Sequence, residues 1–415
     1  MFEIKKQKNK SDQRIGLIKT RKGVLKTPVF MPIATKGAVK NLTTEELKEL
    51  GAELILGNTY HLWLRPGSEV IKKAGGLHKF MNWFGPILTD SGGYQVFSLG
   101  EKRGERRDSN SVKITDAGVQ FRDPFDGKKH FLTPEKSIEI QLDLGSDIIM
   151  VLDECPAFPA TRQQVEKAVK RTSEWARRCK DFFEKKINSK IQISNSKPLG
   201  PSRTGLGQNP KTRARRNHPL LFGIVQGGIY EDLRQRSARE LLEIGFDGYA
   251  IGGVAVGEPR EFLKKVLNYV LPLLPENKPR YLMGLGRPEE IVSAVKAGID
   301  MFDCVIPTRE ARHGRIYKFK ASSLRAKRSN PAGSPRPAKA GLATTSDFYE
   351  TLQINKTKFA RDFKPIDSNC SCYTCHNFSR AYLNHLFRTN EPLALRLATI
   401  HNLKFYLELM EVLRQ

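Results

Sequence analysis

The feature of this sequence that most constrains its fold is a repeated alternation of short apolar segments with amphipathic helical ones. Several helical segments open at Thr or Pro and close at Gly, as helix ends commonly do. Alternating β and α segments fold as parallel sheets with helical connections, and eight repeats match a closed (β/α)8 barrel. The sequence therefore predicts an α/β fold of the TIM-barrel type, with a doubly wound open sheet as the alternative. The predicted strands are residues 27–34, 52–60, 86–93, 147–154, 220–227, 248–255, 280–286 and 301–307.

The chain of 415 residues is longer than the roughly 250 that a barrel of this kind needs, so an appendage is expected. Two segments, 186–217 and 320–346, are rich in Ser, Pro, Gly, Asn and basic residues and show little apolar periodicity. Such segments bury too little surface to fold alone, and we interpret both as disordered basic insertions at the surface. The predicted domains are a barrel at 1–319, interrupted by the first insertion, and a C-terminal subdomain with a final helix at 347–415.

The net charge of +26 predicts a polyanionic partner, with nucleic acid as the first candidate. The two insertions carry 8 and 6 basic residues and no acidic ones, so a little over half of the net charge lies in them. A charge run is more often a solvated surface than a binding arm. The rest of the chain is basic as well, and the expectation of a nucleic-acid partner rests on that part.

The N-terminal sequence MFEIKKQKNK lacks the apolar run of a signal peptide. No segment approaches the roughly 18 apolar residues of a membrane helix. We therefore expect a cytoplasmic protein without a membrane partner, in which cysteines are thiols or metal ligands instead of disulfides.

Polar residues stand at the ends of several predicted strands, where barrel enzymes carry their chemistry. Asp90, Asp153 and Gln226 end the third, fourth and fifth strands and could hydrogen-bond the edge of a heterocycle. Asp303 lies within the apolar eighth strand, where a carboxylate is costly unless it has a partner or a task. Two alternatives stay open: TDSGGYQ at 89–95 also suits an ordinary turn, and Asp303 also suits a buried ion pair.

A cysteine cluster near the C-terminus is the strongest local signal, since three of the six cysteines lie in NCSCYTCHNF: Cys370, Cys372 and Cys375. A tetrahedral Zn²⁺ needs a fourth ligand, and the histidines available are His376, His385 and His401. His376 adjoins a cysteine ligand, so chelation through both would strain the backbone. His401 lies at the margin of the apolar stripe of the last helix. We therefore predict a closed, structural Cys₃His zinc site with His401.

Together these segments resemble one family, the tRNA-guanine transglycosylases, also called queuine tRNA-ribosyltransferases. The likeness covers nearly the whole chain outside the insertions and rests on TPVFMPIATKGAVKNLT, NTYHLWLRPG, TDSGGYQVFS, GGVAVGEP, MGLGRPEE, MFDCVIPTR, CSCYTC and TIHNLKFY. The resemblance implies a TIM barrel with a zinc subdomain, acting as a homodimer. It also implies exchange of the wobble guanine in tRNAs with a GUN anticodon for a 7-deazaguanine base, as part of queuosine biosynthesis.

The resemblance further implies roles for residues at matching positions. Asp303 matches the nucleophile and Asp90 the general acid/base. Exchange of bases with retention needs two displacements, so a covalent ribosyl link to Asp303 is expected. The base-binding set is Asp90, Ser91, Gly92, Gly93, Tyr94, Asp153, Gln226, Gly253 and Val254. The tRNA-binding set is Gly284, Leu285, Gly286, Arg287, Pro288, Glu289, Glu290, Thr308, Arg309, Glu310, Ala311 and Arg312. The zinc ligands are Cys370, Cys372, Cys375 and His401.

Two details indicate the bacterial form of the family: Cys155 in DEC and Val256 in GGVAVGE. A valine leaves little room for the cyclopentenediol of queuine, so 7-aminomethyl-7-deazaguanine is the expected substrate. Glu310 departs from the Asn that bacterial relatives often carry, and an acid beside RNA phosphates is unfavourable. Two alternative functions are an accessory RNA-binding subunit, which the presence of Asp90, Asp153 and Asp303 disfavours, and a nucleoside hydrolase, which tight tRNA binding would disfavour.

Overall fold

The computed structural model describes residues 2–7, 11–96, 112–195, 218–320 and 348–415. Its strands are β1 (Phe2–Gln7), β2 (Arg14–Thr20), β3 (Gly23–Lys26), β4 (Val29–Met31), β5 (Ile55–Gly57), β6 (Ile87–Thr89), β7 (Val112–Thr115), β8 (Gly118–Arg122), β9 (Lys129–Leu132), β10 (Ile148–Met150), β11 (Leu220–Val225), β12 (Gly248–Ile251), β13 (Arg280–Leu282), β14 (Met301–Asp303), β15 (Arg315–Phe319) and β16 (Tyr349–Gln353).

The helices connect these strands and build the C-terminal region. They are α1 (Thr44–Glu49), α2 (Thr59–Leu64), α3 (Ser68–Lys73), α4 (Leu77–Met81), α5 (Pro134–Leu144), α6 (Arg162–Asn195), α7 (Glu231–Ile244), α8 (Phe262–Val270), α9 (Pro288–Lys296), α10 (Ile306–Arg312), α11 (Tyr373–Asn377), α12 (Arg380–Arg388) and α13 (Pro392–Leu413). The ends follow local chemistry: Thr133 caps α5 through the Lys136 amide, and Gly145 ends it with φ 75°.

Eight strands form one sheet in the order β4-β14-β13-β12-β11-β10-β6-β5. Each lies inside one of the eight predicted segments. The order is sequential, and the first strand of the set pairs in parallel with the last, with Asp303 opposite Met31. The pairing of β4 with β14 places the first strand beside the last, as a closed barrel requires. A doubly wound sheet has no such pairing. The predicted (β/α)8 fold class is therefore confirmed.

The described residues group into two compact units. The first comprises Met1–Phe2, Ile18–Val24 and Leu56–Tyr281, and the second comprises Glu3–Leu17, Leu25–Ile55 and Leu282–Gln415. In the first, β10 pairs in parallel with β6 and β11, and the strands are apolar and fully buried, as expected for a sheet covered on both faces. In the second, α13 packs against α10 and β15. Because of that packing, the predicted domain boundary at 319 does not coincide with the division into units.

Three elements lie outside the predicted barrel pattern: the antiparallel sheets β7-β8-β9 and β15-β16, and the N-terminal sheet β1-β2-β3. Helix α6 runs to Asn195 and so overlaps the start of the first predicted insertion, 186–217. The rest of that insertion and 321–346 of the second lie outside the described residues. In the described ranges, every helix is too short or too polar to cross a membrane.

Candidate active site and metal centre

Asp90 directly follows β6 and is held in one orientation by three donors. Its carboxylate accepts hydrogen bonds from Asn58 Nδ2 at 2.5 Å, from the Thr59 backbone N–H at 2.8 Å and from Gln95 Nε2 at 2.7 Å. Thr59 Oγ1 also donates to the Asp90 carbonyl oxygen at 2.5 Å. In all three contacts the carboxyl oxygens of Asp90 are the acceptors, so the contacts fix the rotamer of the side chain. Asp90 is a buried, oriented carboxylate.

Asp153 follows β10, and its carboxylate connects the ends of β6 and β11 through two hydrogen bonds. Ser91 Oγ donates to its Oδ1 at 3.1 Å, and Gln226 Nε2 donates to its Oδ2 at 2.7 Å. Burial raises the pKa of Asp153 to about 6, against the lowering effect of the hydrogen bonds from Gln226 and Ser91. The negative charge of Asp90 raises it further. The structure therefore brings Asp90, Ser91, Asp153 and Gln226 into one polar cluster.

Glycines allow the backbone to approach this cluster closely. A Cβ at Gly93 would lie 2.8 Å from the Asp153 carbonyl oxygen, and one at Gly253 would lie 2.6 Å from Gln226 Oε1. Gly253 also has φ +62°, a conformation that L side chains rarely adopt. Substitution would displace Asp153 or Gln226, so both glycines are needed for the shape of this cluster.

The remaining predicted base-binding residues differ in exposure. Gly92 has φ +82° in the turn after Asp90, and Val254 is buried beside Gly253. Tyr94 is 45% exposed, as a ring that stacks on an incoming base would be before binding. Cys155 lies at the edge of the cluster, and burial raises the pKa of its thiol to about 12, so it is a neutral thiol and not a nucleophile.

Asp303 belongs to the second unit and is the last residue of β14. It is buried, and the Gly284 backbone N–H donates to its Oδ1 at 2.7 Å. Gly284 has φ +70°, so a glycine at this position lets the loop after β13 turn its amide towards the carboxylate. The predicted nucleophile is thus held by a backbone donor at the carboxyl end of its strand.

The two predicted tRNA-binding segments contain both exposed and buried residues. Leu285, Pro288, Thr308 and Ala311 are buried. A Cβ at Gly286 would lie 1.8 Å from Cys304 Sγ, so this residue serves packing. Gly284, Arg287 and Arg309 are exposed, and Glu289, Glu290, Glu310 and Arg312 are partly exposed. Glu310 lies 3.6 Å from Arg315 and 3.9 Å from Arg309, measured between charged atoms.

The four predicted metal ligands lie together. The ligand atoms of Cys370, Cys372, Cys375 and His401 are all within 4.8 Å of one another. His401 Nδ1 is 3.1 Å from Cys375 Sγ and 3.6 Å from Cys372 Sγ. His401 Nε2 donates to the Tyr317 carbonyl oxygen at 2.7 Å, so the lone pair of Nδ1 faces the sulfurs. Hydrogen bonds from the Cys370 and Cys375 thiols lower the pKa of Cys372 to about 4, which favours its thiolate. This donor set can hold a metal ion.

None of the six cysteines, all within the described ranges, forms a disulfide. The cysteines are free, in agreement with the expectation that they are thiols or metal ligands.

Sequence reasoning missed several residues that orient the site. Asn58 and Thr59 follow β5 as Asp90 follows β6, so the same strand-end signal was present in GNTYH. Asn402, next to His401, accepts from the Tyr317 amide and donates to the carbonyl oxygens of Pro307 and Arg315. No local pattern marks a helix asparagine for such a role.

Comparison with known proteins decides the family. The family model described as queuine tRNA-ribosyltransferase matches residues 9–415. The chain belongs to the queuine tRNA-ribosyltransferase family. A queuine tRNA-ribosyltransferase of Vibrio cholerae serotype O1 (strain M66-2) is 48% identical over 414 residues, covering 100% of this chain and 91% of the relative. Those of Vibrio atlanticus (strain LGP32) and Lysinibacillus sphaericus (strain C3-41) are 46% and 45% identical, with the same coverage.

The resemblance seen in the sequence is therefore confirmed. Queuine tRNA-ribosyltransferases are pentosyltransferases, so this chain is an enzyme of the transferase class in a family that acts on tRNA.

Proposed function

We propose that this protein is a tRNA-guanine transglycosylase that replaces the wobble guanine of tRNAs with a GUN anticodon by 7-aminomethyl-7-deazaguanine. The observation that carries the proposal is the polar cluster of Asp90, Ser91, Asp153, Gln226 and Gly253 in a chain of this family. Carboxylate, amide and backbone groups gathered at the ends of barrel strands suit the mixed donors and acceptors of a guanine edge.

In this proposal Asp153 accepts hydrogen bonds from the N–H groups of the base. Gln226 supports it in two ways: Nε2 donates to Asp153, and its backbone N–H is anchored by Ser237 Oγ at 3.1 Å. Tyr94 covers one face of the ring. The wobble nucleotide has to leave the anticodon loop to reach these groups, and unpaired loops are where RNA bases are most easily displaced.

Asp303 and Asp90 carry the chemistry. An oxygen of the Asp303 carboxylate bonds to the ribose C1′ as the bond from C1′ to guanine N9 breaks, and Asp90 supplies a proton to the departing base. Asp90 then takes a proton from the incoming 7-deazaguanine, whose nitrogen bonds to C1′ and releases Asp303. Two observations support these roles: each carboxylate stands at the carboxyl end of a barrel strand, and each accepts a hydrogen bond from a backbone donor.

Cys370, Cys372, Cys375 and His401 would hold one Zn²⁺. Three thiolates and an imidazole leave no open position on a tetrahedral ion, so its contribution is structural. A tRNA substrate and unoxidised thiols both fit a cytoplasmic protein.

The protein acts as a homodimer in this proposal. Support comes from an aromatic surface patch, defined as Phe363, Tyr373, Phe378 and Tyr382. Phe363 is 80% exposed and Tyr373 57%, while Phe378 stacks on Tyr382 with ring centroids 5.3 Å apart. Apolar surface of this kind usually marks a contact with another chain.

An exchange assay with labelled guanine and tRNA tests the function. We expect incorporation of label by the intact chain, whereas a non-catalytic RNA-binding subunit would incorporate none. Asp303→Asn should abolish the covalent enzyme–tRNA adduct and lower the exchange rate by at least about a thousandfold. The control is Asp143→Asn, which removes a carboxylate that pairs with Lys72. An undiminished adduct in Asp303→Asn would remove Asp303 from the role of nucleophile.

A further inference from the structure

A buried arginine on α7, Arg234, lies behind the base-binding residues of the first unit. Its side chain makes four hydrogen bonds, and every acceptor is a backbone carbonyl oxygen. Nη1 donates to Val225 at 3.0 Å and to Gly252 at 2.7 Å, Nη2 donates to Gly253 at 2.9 Å, and Nε donates to Gly228 at 2.8 Å. One guanidinium therefore ties the end of β11 to the end of β12.

Within the described residues Arg234 forms no ion pair, and its residue is 0% exposed. Burial lowers its pKa to about 10, so it remains charged at neutral pH. The negative charge of Glu258 raises the pKa of this guanidinium without forming an ion pair with it. A buried charge without a counter-ion is unfavourable, and an apolar side chain of similar length would avoid that cost. The guanidinium instead offers several N–H donors in a fixed planar geometry, which no apolar or lysine side chain can supply.

The hydrogen bonds to Gly252 and Gly253 determine where the next amides point. In a trans peptide the C=O and the following N–H point in opposite directions. Because both carbonyls face Arg234, the N–H groups of Gly253 and Val254 face away from it. In the described part of the chain neither amide donates a hydrogen bond. The neighbouring group is Gln226, whose Oε1 lies 2.6 Å from where a Gly253 Cβ would stand.

We propose that Arg234 is a positioning residue for base selection: it holds the peptides of residues 252–254 so that the Gly253 and Val254 amides donate to the carbonyl oxygen of the base. The inference rests on the proposed function and adds a residue that does not touch the base. This role also explains why a charged side chain is buried here, since the two amides need fixed orientations before the base arrives.

Replacement by lysine provides the test. Arg234→Lys keeps the charge but cannot bond four carbonyls in a plane, so the peptides of 252–254 should relax. In exchange assays with one substrate varied and the other saturating, we expect the KM for guanine to rise about tenfold and the KM for tRNA to change by less than about twofold. Arg239→Lys is the matched control, because Arg239 is an exposed arginine of the same helix. An unchanged KM for guanine, or an equal rise in both KM values, would overturn the proposal.

A second measurement uses the wild-type protein and so does not depend on the folding of the variant. Hydrogen exchange of the segment 251–256 should slow when guanine binds, because two amides become hydrogen-bonded. Unchanged exchange at saturating guanine would refute the proposal. Wild-type incorporation of labelled guanine is read first: its absence would count against the proposed function, while slowed amide exchange that is lost in Arg234→Lys would still support the role of Arg234.

Discussion

At the residue scale, Asp153 combines burial with a like-charged neighbour. Both effects disfavour its ionised form, and its pKa of about 6 lies within the range of ordinary assays. The residue is therefore a proposed base contact whose protonation state changes under mild conditions.

We predict that base binding weakens in mild acid. A protonated Asp153 loses an acceptor that the N–H groups of the base require. The KM for guanine should therefore rise by up to about tenfold per pH unit below pH 6, and stay flat above pH 7. Steady-state kinetics from pH 5 to pH 8 would show this. A KM that is constant through pH 6 would contradict it.

The raised pKa of Asp153 also predicts that the stability of the folded protein depends on pH. The pKa of Asp153 is raised above the ordinary value for an aspartate, about 3.9, so its contribution to stability is fully present below that value and is lost as pH rises through about 6. Asp153→Asn should then raise the melting temperature more at pH 8 than at pH 5. Asp143→Asn, at a partly exposed carboxylate, should show no such difference.

Glu310 is the predicted tRNA-binding residue whose negative charge is least suited to contact with RNA phosphates. It lies near Arg309 and Arg315, both about half exposed, and so lowers the positive potential that they offer to phosphates. Glu310→Gln should tighten tRNA binding about threefold and steepen its salt dependence. Filter binding at several salt concentrations would measure both. Glu166→Gln is the control, because Glu166 also lies 3.6 Å from an arginine but on helix α6; equal effects in the two variants would argue against a local role.

At the element scale, helix α13 is tied to the C-terminal region by two consecutive residues. His401 contributes its imidazole to the metal-binding group, and Asn402 bonds the backbone of β15 and the start of α10. The helix is therefore positioned by polar contacts in addition to its buried apolar face.

We predict that loss of the metal loosens this helix. Chelation, or His401→Ala, should release one Zn²⁺ per chain and lower the free energy of unfolding by at least about 3 kcal/mol. Metal analysis and denaturant unfolding would measure the two effects. Cys179→Ala, at a buried thiol outside the group, should keep its zinc. Full stability after removal of the metal would contradict a structural role.

The elements differed in how well the sequence predicted them. The eight barrel strands were found because each is a short apolar run bounded by turn residues, a pattern that burial on both faces imposes. The sheet β7-β8-β9 was missed because its strands are partly exposed and rich in polar residues. In the site, acids at strand ends were predictable, but Arg234 was not, since its acceptors are backbone atoms that only the folded chain brings together.

At the scale of the whole molecule, the aromatic surface patch bears on assembly. Phe363→Lys places a charge in the patch and should convert the proposed homodimer to a monomer, as measured by light scattering during size-exclusion chromatography. Phe84→Lys is the matched control, because Phe84 is 75% exposed but stands outside the patch. A monomeric wild-type protein, or a dimer that survives Phe363→Lys, would argue against this surface.

The polar cluster of Asp90, Ser91, Asp153 and Gln226 takes its members from three different strand ends, after β6, β10 and β11. A slip of one residue in any of these strands would turn a contributing side chain to the opposite face. With the proposed function, the affinity for free guanine would report on the correct register of these strands. The fraction of refolded protein that a guanine column retains would therefore measure the correctly folded fraction.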